Sequence, residues 1–123
     1  MILGLDISSS ITGVSIVDST GAIIYCEHID TRNKNKFPTL LDKARHIKQG
    51  LQSIREQYNI ESIFIEESLQ TFRSGFSSAK TLSTLAKING IVSYLCLEIF
   101  EIHPEHIGAT SARKLCGIKV PRG

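Results

Sequence analysis

The stretch Ile2-Leu3-Gly4-Leu5-Asp6-Ile7-Ser8-Ser9-Ser10-Ile11-Thr12-Gly13-Val14-Ser15-Ile16-Val17-Asp18 decides the fold. Leu3, Leu5 and Ile7 alternate with Ile2, Gly4 and Asp6, the period of two that separates the faces of a strand. Residues 2–7 are therefore expected to form a strand that ends in a carboxylate. The Ser8-Ser9-Ser10 cluster reads as a turn, and Val14-Ser15-Ile16-Val17 as a second strand. Asp18-Ser19-Thr20-Gly21 has hairpin-turn chemistry, and Ala22 to His28 reads as a third strand. The opening predicts a three-stranded antiparallel meander.

Beyond the polar segment 30–38 the period changes. Leu40, Ala44, Ile47, Leu51, Ile54 and Tyr58 fall on one stripe of an amphipathic helix, with Pro38 suited to its first turn. Ile63-Phe64-Ile65 reads as a short buried strand closed by Glu66 and Glu67. A loop containing Phe72, Arg73, Gly75 and Phe76 follows. Ser77 or Ser78 then offers an N-cap to a long helix reaching about Leu97. Along it Ala79, Ser83, Ala86, Gly90, Ser93 and Leu97 form a stripe of mostly small residues, suited either to packing inside the domain or to a helix–helix dimer seam. Ile99 to His103 is expected to be a fifth strand. Thr110 to Cys116 is expected to be a short helix ended by Gly117.

The predicted order, β-β-β-α-β-α-β-α, gives a mixed five-stranded α/β sheet with helices on its faces. The whole chain, 1–123, reads as a single domain. Its 41% hydrophobic and 21% charged residues exclude disorder, collagen and coiled coil. No uninterrupted apolar run approaches the roughly 18 residues of a membrane span, and the N-terminus lacks the pattern of a signal peptide. Cys26, Cys96 and Cys116 have no C-x-x-C spacing and read as reduced, mostly buried thiols of a cytoplasmic protein.

The net charge of +2 is unevenly spread. Seven basic residues lie between Arg32 and Arg55 against one acid, Asp42, and every charged residue after Glu105 is basic. Basic blocks around a small acidic cluster suit a protein that holds a polyanion around metal-binding carboxylates. Asp6 and Glu66 are the carboxylates in question. Each ends a buried strand, where a charge is costly unless it is paired or metal-bound. If the first and fourth strands are parallel neighbours, the two carboxylates lie side by side. A magnesium ion, with manganese as a substitute, would relieve their repulsion and support phosphoryl chemistry. Glu67 is the register alternative to Glu66, since adjacent strand residues face opposite ways.

Residues 2–18 resemble the first motif of RuvC-like Holliday junction resolvases, within the ribonuclease H-like superfamily. Phe64-Ile65-Glu66 is similar to the second motif. Ser78-Ala79-Lys80 and Lys87-Ile88-Asn89-Gly90 resemble the helix segment that follows. The Asp-Ile-Ser-Ser-Ser variant looks closer to phage-type members. The resemblance implies a dimeric, magnesium-dependent endonuclease acting on four-way or otherwise branched DNA, in bacterial or phage-infected host cytoplasm. It maps Asp6 and Glu66 onto catalytic metal ligands. It places Phe72 and Phe76, with Leu69 as a third candidate, where the family carries its junction-opening wedge. Arg113, Lys114, Lys119 and Arg122 lie near the family's basic residues against the scissile strand. The family completes its site with acids on a final helix. None after Glu67 matches, so the chain reads as lacking that helix and its own cleavage activity is expected to be weak.

Read from the residues, Arg73, Lys80, Arg32, Lys34 and Lys36 suit phosphate contacts. His103-Pro104-Glu105-His106 offers too few ligands for zinc. Two other functions compete with the nuclease. One is a branched-DNA-binding module without catalysis. The other is an actin- or sugar-kinase-like ATP-binding fragment, whose second phosphate motif is missing here.

Overall fold

The computed structural model describes residues 1–67 and 79–108. They form β1 (Ile2–Ile7), β2 (Ile11–Val17), β3 (Ile23–Asp30), α1 (Leu40–Gln57), β4 (Ser62–Glu67), α2 (Ala79–Phe100) and β5 (Glu105–Gly108). The five strands make one mixed sheet in the order β3-β2-β1-β4-β5. β1, β2 and β3 are the antiparallel meander, and β4 pairs parallel with both β1 and β5.

The meander is held by the turn chemistry of its residues. The Ser8 hydroxyl donates to the Ile11 carbonyl at 2.7 Å and accepts from the Ile11 N–H at 3.0 Å. β2 consequently starts at Ile11, three residues before the expected Val14. At the second turn, Asp18 Oδ1 accepts from the Thr20 and Ala22 N–H groups, and Gly21 takes φ 89°, a conformation that favours glycine. β3 runs two residues past the expected His28, to Asp30, because β2 gained residues to pair with it.

α1 begins after Thr39, so Pro38 precedes the cap instead of lying in the first turn. The Thr39 hydroxyl accepts from the Asp42 N–H at 3.2 Å, and the Asp42 carboxylate accepts back from the Thr39 N–H at 3.1 Å and its hydroxyl at 2.6 Å. The hydroxyl bond holds the Asp42 carboxyl below its usual 3.8. The stability it lends is therefore complete above that pH and lost as pH falls through the lower folded value. Ala44, Ile47, Leu51 and Ile54 are buried, as the stripe predicts. Gly50 sits where α1 crosses β3. A Cβ there would lie 2.9 Å from Ile29 Cδ1, so the glycine permits a close approach.

One face of the sheet is the core. Leu3, Leu5, Ile7, Val14, Ile16, Ile63 and Ile65 pack with α1 and with Ile88, Val92, Cys96 and Ile99 of α2. Burying each aliphatic side chain contributes about 1.5–3 kcal/mol. Burial also pushes the Cys96 thiol up to about 12. Cys26 departs from expectation: it is exposed, because it lies on the opposite face of the edge strand β3.

The expected strand Ile99–His103 does not form. Ile99 continues the buried stripe of α2 three residues after Cys96, so the helix keeps it. The helix ends at Glu101, whose N–H donates to the Leu97 carbonyl at 2.8 Å and whose φ is 59°. The strand begins only after Pro104. The expected Ser77 or Ser78 cap and the helix Thr110 to Cys116 lie outside the described residues.

α2 is long and apolar enough, by length and composition, to cross a membrane, although Lys80, Lys87 and Glu98 interrupt its apolar run. Its buried stripe belongs to the domain core, yet only 22% of its most apolar window is buried. Ala79, Ser83, Ala86 and Gly90 are exposed, and Tyr94 is 58% exposed. The first four members of the small-residue stripe are therefore exposed, whereas Ser93 and Leu97 are half-buried and Ser93 Oγ lies against His106 of β5.

Glu101 holds a left-handed conformation that costs a residue with a Cβ about 1–2 kcal/mol. Glu101→Gly is accordingly expected to raise stability by about 1 kcal/mol, read as a higher urea midpoint with an unchanged slope. An equal or lower midpoint would show that the α2 terminus carries no such strain.

Candidate metal and nucleic-acid site

The sheet's second face carries the candidate chemistry at the C-terminal ends of β1 and β4. Asp6 pairs in register with Glu66 across the parallel ladder, where neighbouring strands lie about 4.8 Å apart. Glu67 aligns instead with Gly108 of β5. The residue facing Asp6 across the ladder is thus Glu66. Alternation explains why both carboxylates leave the core: Leu5, Ile7 and Ile65, which flank them, point inward and are buried.

Asp6 is exposed, and among the described residues no hydrogen bond or ion pair engages its carboxylate. On its other side it pairs with Gly13, which pairs in turn with His28. A Cβ built on Gly13 would lie 3.5 Å from Asp6 Cβ and 3.9 Å from His28 Cδ2. The glycine thus leaves a notch between the carboxylate and the imidazole. One row across the sheet reads His28, Gly13, Asp6, Glu66, Ile107.

The turn that follows Asp6 is clamped from two directions. Lys43 Nζ, on α1, donates to the Ser9 carbonyl at 2.6 Å. Thr31 donates to the Ser10 carbonyl through both its N–H and its hydroxyl, at 2.8 Å each. A helix and the segment leaving β3 therefore fix the loop beside the carboxylate, even though its residues are short and polar.

Among the described residues no group of three or more His, Cys, Asp or Glu side chains could hold a metal ion. Two carboxylates in register still fit a hard cation. Magnesium is commonly bound through one or two carboxylates and completes its shell with water or phosphate oxygens. The open notch at Gly13 leaves room for such partners beside Asp6.

The expected phosphate contacts divide. Arg32 is engaged by its own neighbour: Nε lies 3.0 and 3.1 Å from the Asp30 oxygens, and Nη2 lies 2.7 Å from Oδ2. These hydrogen bonds hold the Asp30 carboxyl at about 2. The pair is thus intact at neutral pH and lost only as pH falls through that value. A phosphate would therefore compete with Asp30 for Arg32. Lys34, Lys36 and Lys80 are exposed and make no ion pair among the described residues. Phe72, Arg73, Phe76, Leu69, Arg113, Lys114, Lys119 and Arg122 lie outside the described residues. His103 is exposed, and His106 Nε2 lies 3.1 Å from Ser93 Oγ, so the two histidines do not converge on a zinc site.

Sequence reasoning missed Gly13 and His28 as neighbours of Asp6. The signal was present: starting β2 at Ile11 instead of Val14 pairs Gly13 with Asp6, and extending β3 to Asp30 brings His28 onto the same row.

No protein-family model matches the sequence, and no curated protein matches it significantly. Among solved structures the chain is similar to T. thermophilus RuvC in complex with a Holliday junction substrate. That similarity has a TM-score of 0.72 at 13% identity and covers 99% of this chain and 82% of that one. A second Thermus thermophilus RuvC structure aligns with a TM-score of 0.44 at 13% identity, over 94% and 88% of the two chains. An exopolyphosphatase from Cytophaga hutchinsonii aligns at 0.46 with 12% identity, over 89% of this chain and 34% of that one. Those two scores are too low to weigh. The mixed five-stranded sheet with its flanking helices is a RuvC-like fold of the ribonuclease H type.

Proposed function

We propose that this protein is a metal-dependent endonuclease that hydrolyses phosphodiester bonds in Holliday junctions or other branched DNA. The observation that carries the reading is the register of Asp6 with Glu66 at the ends of adjacent parallel strands. The RuvC-like fold supports it, because the same fold binds a Holliday junction in the Thermus protein.

In this reading Asp6 and Glu66 hold one magnesium ion between them. A magnesium ion held there would supply Lewis acidity at a phosphate and a bound water of lowered pKa. The protein's own contribution is positional. The β1–β4 ladder fixes the spacing of the carboxylates. Lys43 and Thr31 hold the turn after Asp6 so that the strand end cannot fray. Lys34, Lys36 and Lys80 provide exposed positive charge for the DNA backbone, a contribution that weakens with rising salt. Arg32 contributes only when it leaves Asp30. Phe72, Phe76, Arg113 and Lys119 keep the roles that the family resemblance implies, wedge and scissile-strand contacts, and Arg73 the phosphate contact read from its place between the two aromatics.

The reading includes a homodimer formed through α2. Tyr94 of the helix is exposed, and so are the first four members of its small-residue stripe, Ala79, Ser83, Ala86 and Gly90. A two-fold dimer presents two sites to the symmetry-related strands of a four-way junction. A binding module without catalysis is the alternative, favoured because among the described residues no third His, Cys, Asp or Glu completes a metal-holding group.

Cleavage separates these readings. With a synthetic four-way junction, magnesium-dependent nicking that EDTA abolishes is expected, falling at least about 100-fold in Asp6→Asn and in Glu66→Gln. Asp6→Asn should not lose stability in metal-free buffer. Relieving the repulsion of an adjacent like charge should add about 0.5 kcal/mol to Asp6→Asn. Junction binding without cleavage under any divalent ion would favour the module. Cleavage unchanged in both variants would remove the proposed site.

The dimer has its own test. A Cβ at Gly90 meets nothing within 4 Å in the single chain, so Gly90→Leu should leave the fold intact. Sedimentation is expected to show a dimer for the wild type and a monomer for the variant. A variant that remains dimeric would place the interface elsewhere.

A further inference from the structure

The carboxylate row carries one exposed side chain that the nuclease reading leaves without a role. His28 lies on β3, two strands from Asp6, and only Gly13 separates them in the row. A Gly13 Cβ would touch the ring carbon Cδ2 of His28 at 3.9 Å, so the imidazole lies beside the glycine, on the side of Gly13 opposite Asp6 in the row. Among the described residues its ring nitrogens have no hydrogen-bond partner. Its charged neighbour along the strand is Asp30, two residues on and on the same face of β3, which interacts with it electrostatically.

Gly13 adds a second, independent observation. Glycine inside a strand weakens it, and often marks a place where a ligand or another backbone comes close. Here it gives its neighbours no turn or bulge. The β2–β3 register slips only at Ile16 and Val17, and Gly13 pairs regularly on both sides. No positive φ requires glycine at this position either. What its missing side chain provides is the notch between Asp6 and His28.

The charge around the notch says what could enter. A phosphodiester brought to two carboxylates meets repulsion on that side and needs a donor on the other. Asp6 and Glu66 are acceptors only when ionised. Among the row's residues His28 alone has a side-chain donor. The next residue on this face of β3 is Asp30, an acid whose charge is taken up by Arg32, so neither adds a donor at the notch. A neutral imidazole carries one N–H in either tautomer, so the contact needs no protonation.

We propose that His28 and the notch at Gly13 form a seat for one phosphodiester group of the bound DNA strand, with the imidazole donating to a non-bridging phosphate oxygen. This rests on the nuclease reading and adds a substrate-contact residue to it. The seat directs the strand across β2 and onto the carboxylates, and so sets which phosphate is presented to them.

The test is junction binding in calcium buffer, measured by fluorescence anisotropy with a labelled four-way junction and with a linear duplex of equal arm length. Folding of each variant is checked by circular dichroism. His28→Ala changes an exposed residue, and Gly13→Ala places a methyl at ordinary contact distance from both neighbours, so both should fold. Each is expected to weaken junction binding by about tenfold, the loss of one hydrogen bond to a charged group. His28→Asn, which restores an N–H donor, is expected to recover part of that loss. A purely structural role would not be rescued this way. Junction binding within twofold of wild type in His28→Ala overturns the seat and leaves the nuclease reading standing. A loss in His28→Ala that Asn does not recover also overturns the seat. A wild-type chain that binds the junction no better than the duplex overturns both.

Discussion

The parallel pairing of β1 with β4 is the constraint on which the rest of this molecule depends. The two strands are separated in sequence by the meander and by α1, yet Ile2 to Asp6 align residue by residue with Ser62 to Glu66. A parallel ladder cannot be closed by a tight turn and needs a crossover of a dozen residues or more. α1 supplies it, with a capped start at Thr39 and a buried stripe that lies against the sheet. Once that register is set, two consequences follow without further choice. The inward residues of both strands meet in the core, and the outward ones bring Asp6 beside Glu66. A slip of one residue would bury the carboxylates and expose the isoleucines, so the same hydrophobic pattern that stabilises the fold also holds the acidic pair in place.

The two faces of the sheet are under different demands. The inner face is filled with aliphatic side chains from β1, β2, β4 and both helices. Near the carboxylates the outer face shows Asp6, a glycine and an exposed histidine. Polar groups placed there gain nothing from packing. Like charges at neighbouring positions cost stability instead, which is the pattern expected where a surface is kept for a ligand. The brace from Lys43 and Thr31 to the Ser8–Ser10 turn shows how a short polar loop is stiffened without a core of its own.

Much of this was legible in the residues. Period-two alternation located β1, and the i+3, i+4 stripe located α1 almost to the residue. The placement of carboxylates after Leu-Gly-Leu and Phe-Ile pointed to Asp6 and Glu66 before any pairing was known. The misreadings share a cause: local pattern cannot see tertiary partners. Ile99-Phe100-Glu101-Ile102 alternates like a strand, but Ile99 completes a helical stripe whose other members lie in the core. Ile11, Thr12 and Gly13 read as turn until their pairing with β1 is known. Cys26 looks like any thiol in an apolar run, and only its place on an edge strand exposes it.

The central claim is that Asp6 and Glu66 together hold a divalent cation. The most direct measurement is a titration of Mn2+ into the 15N-labelled protein, with paramagnetic broadening read at each backbone amide. The account predicts broadening centred on Asp6, Gly13 and Glu66, reversed by excess Mg2+ and lost in Asp6→Asn. Broadening centred on any other part of the sheet, or equally strong in the Asp6 variant, would contradict it.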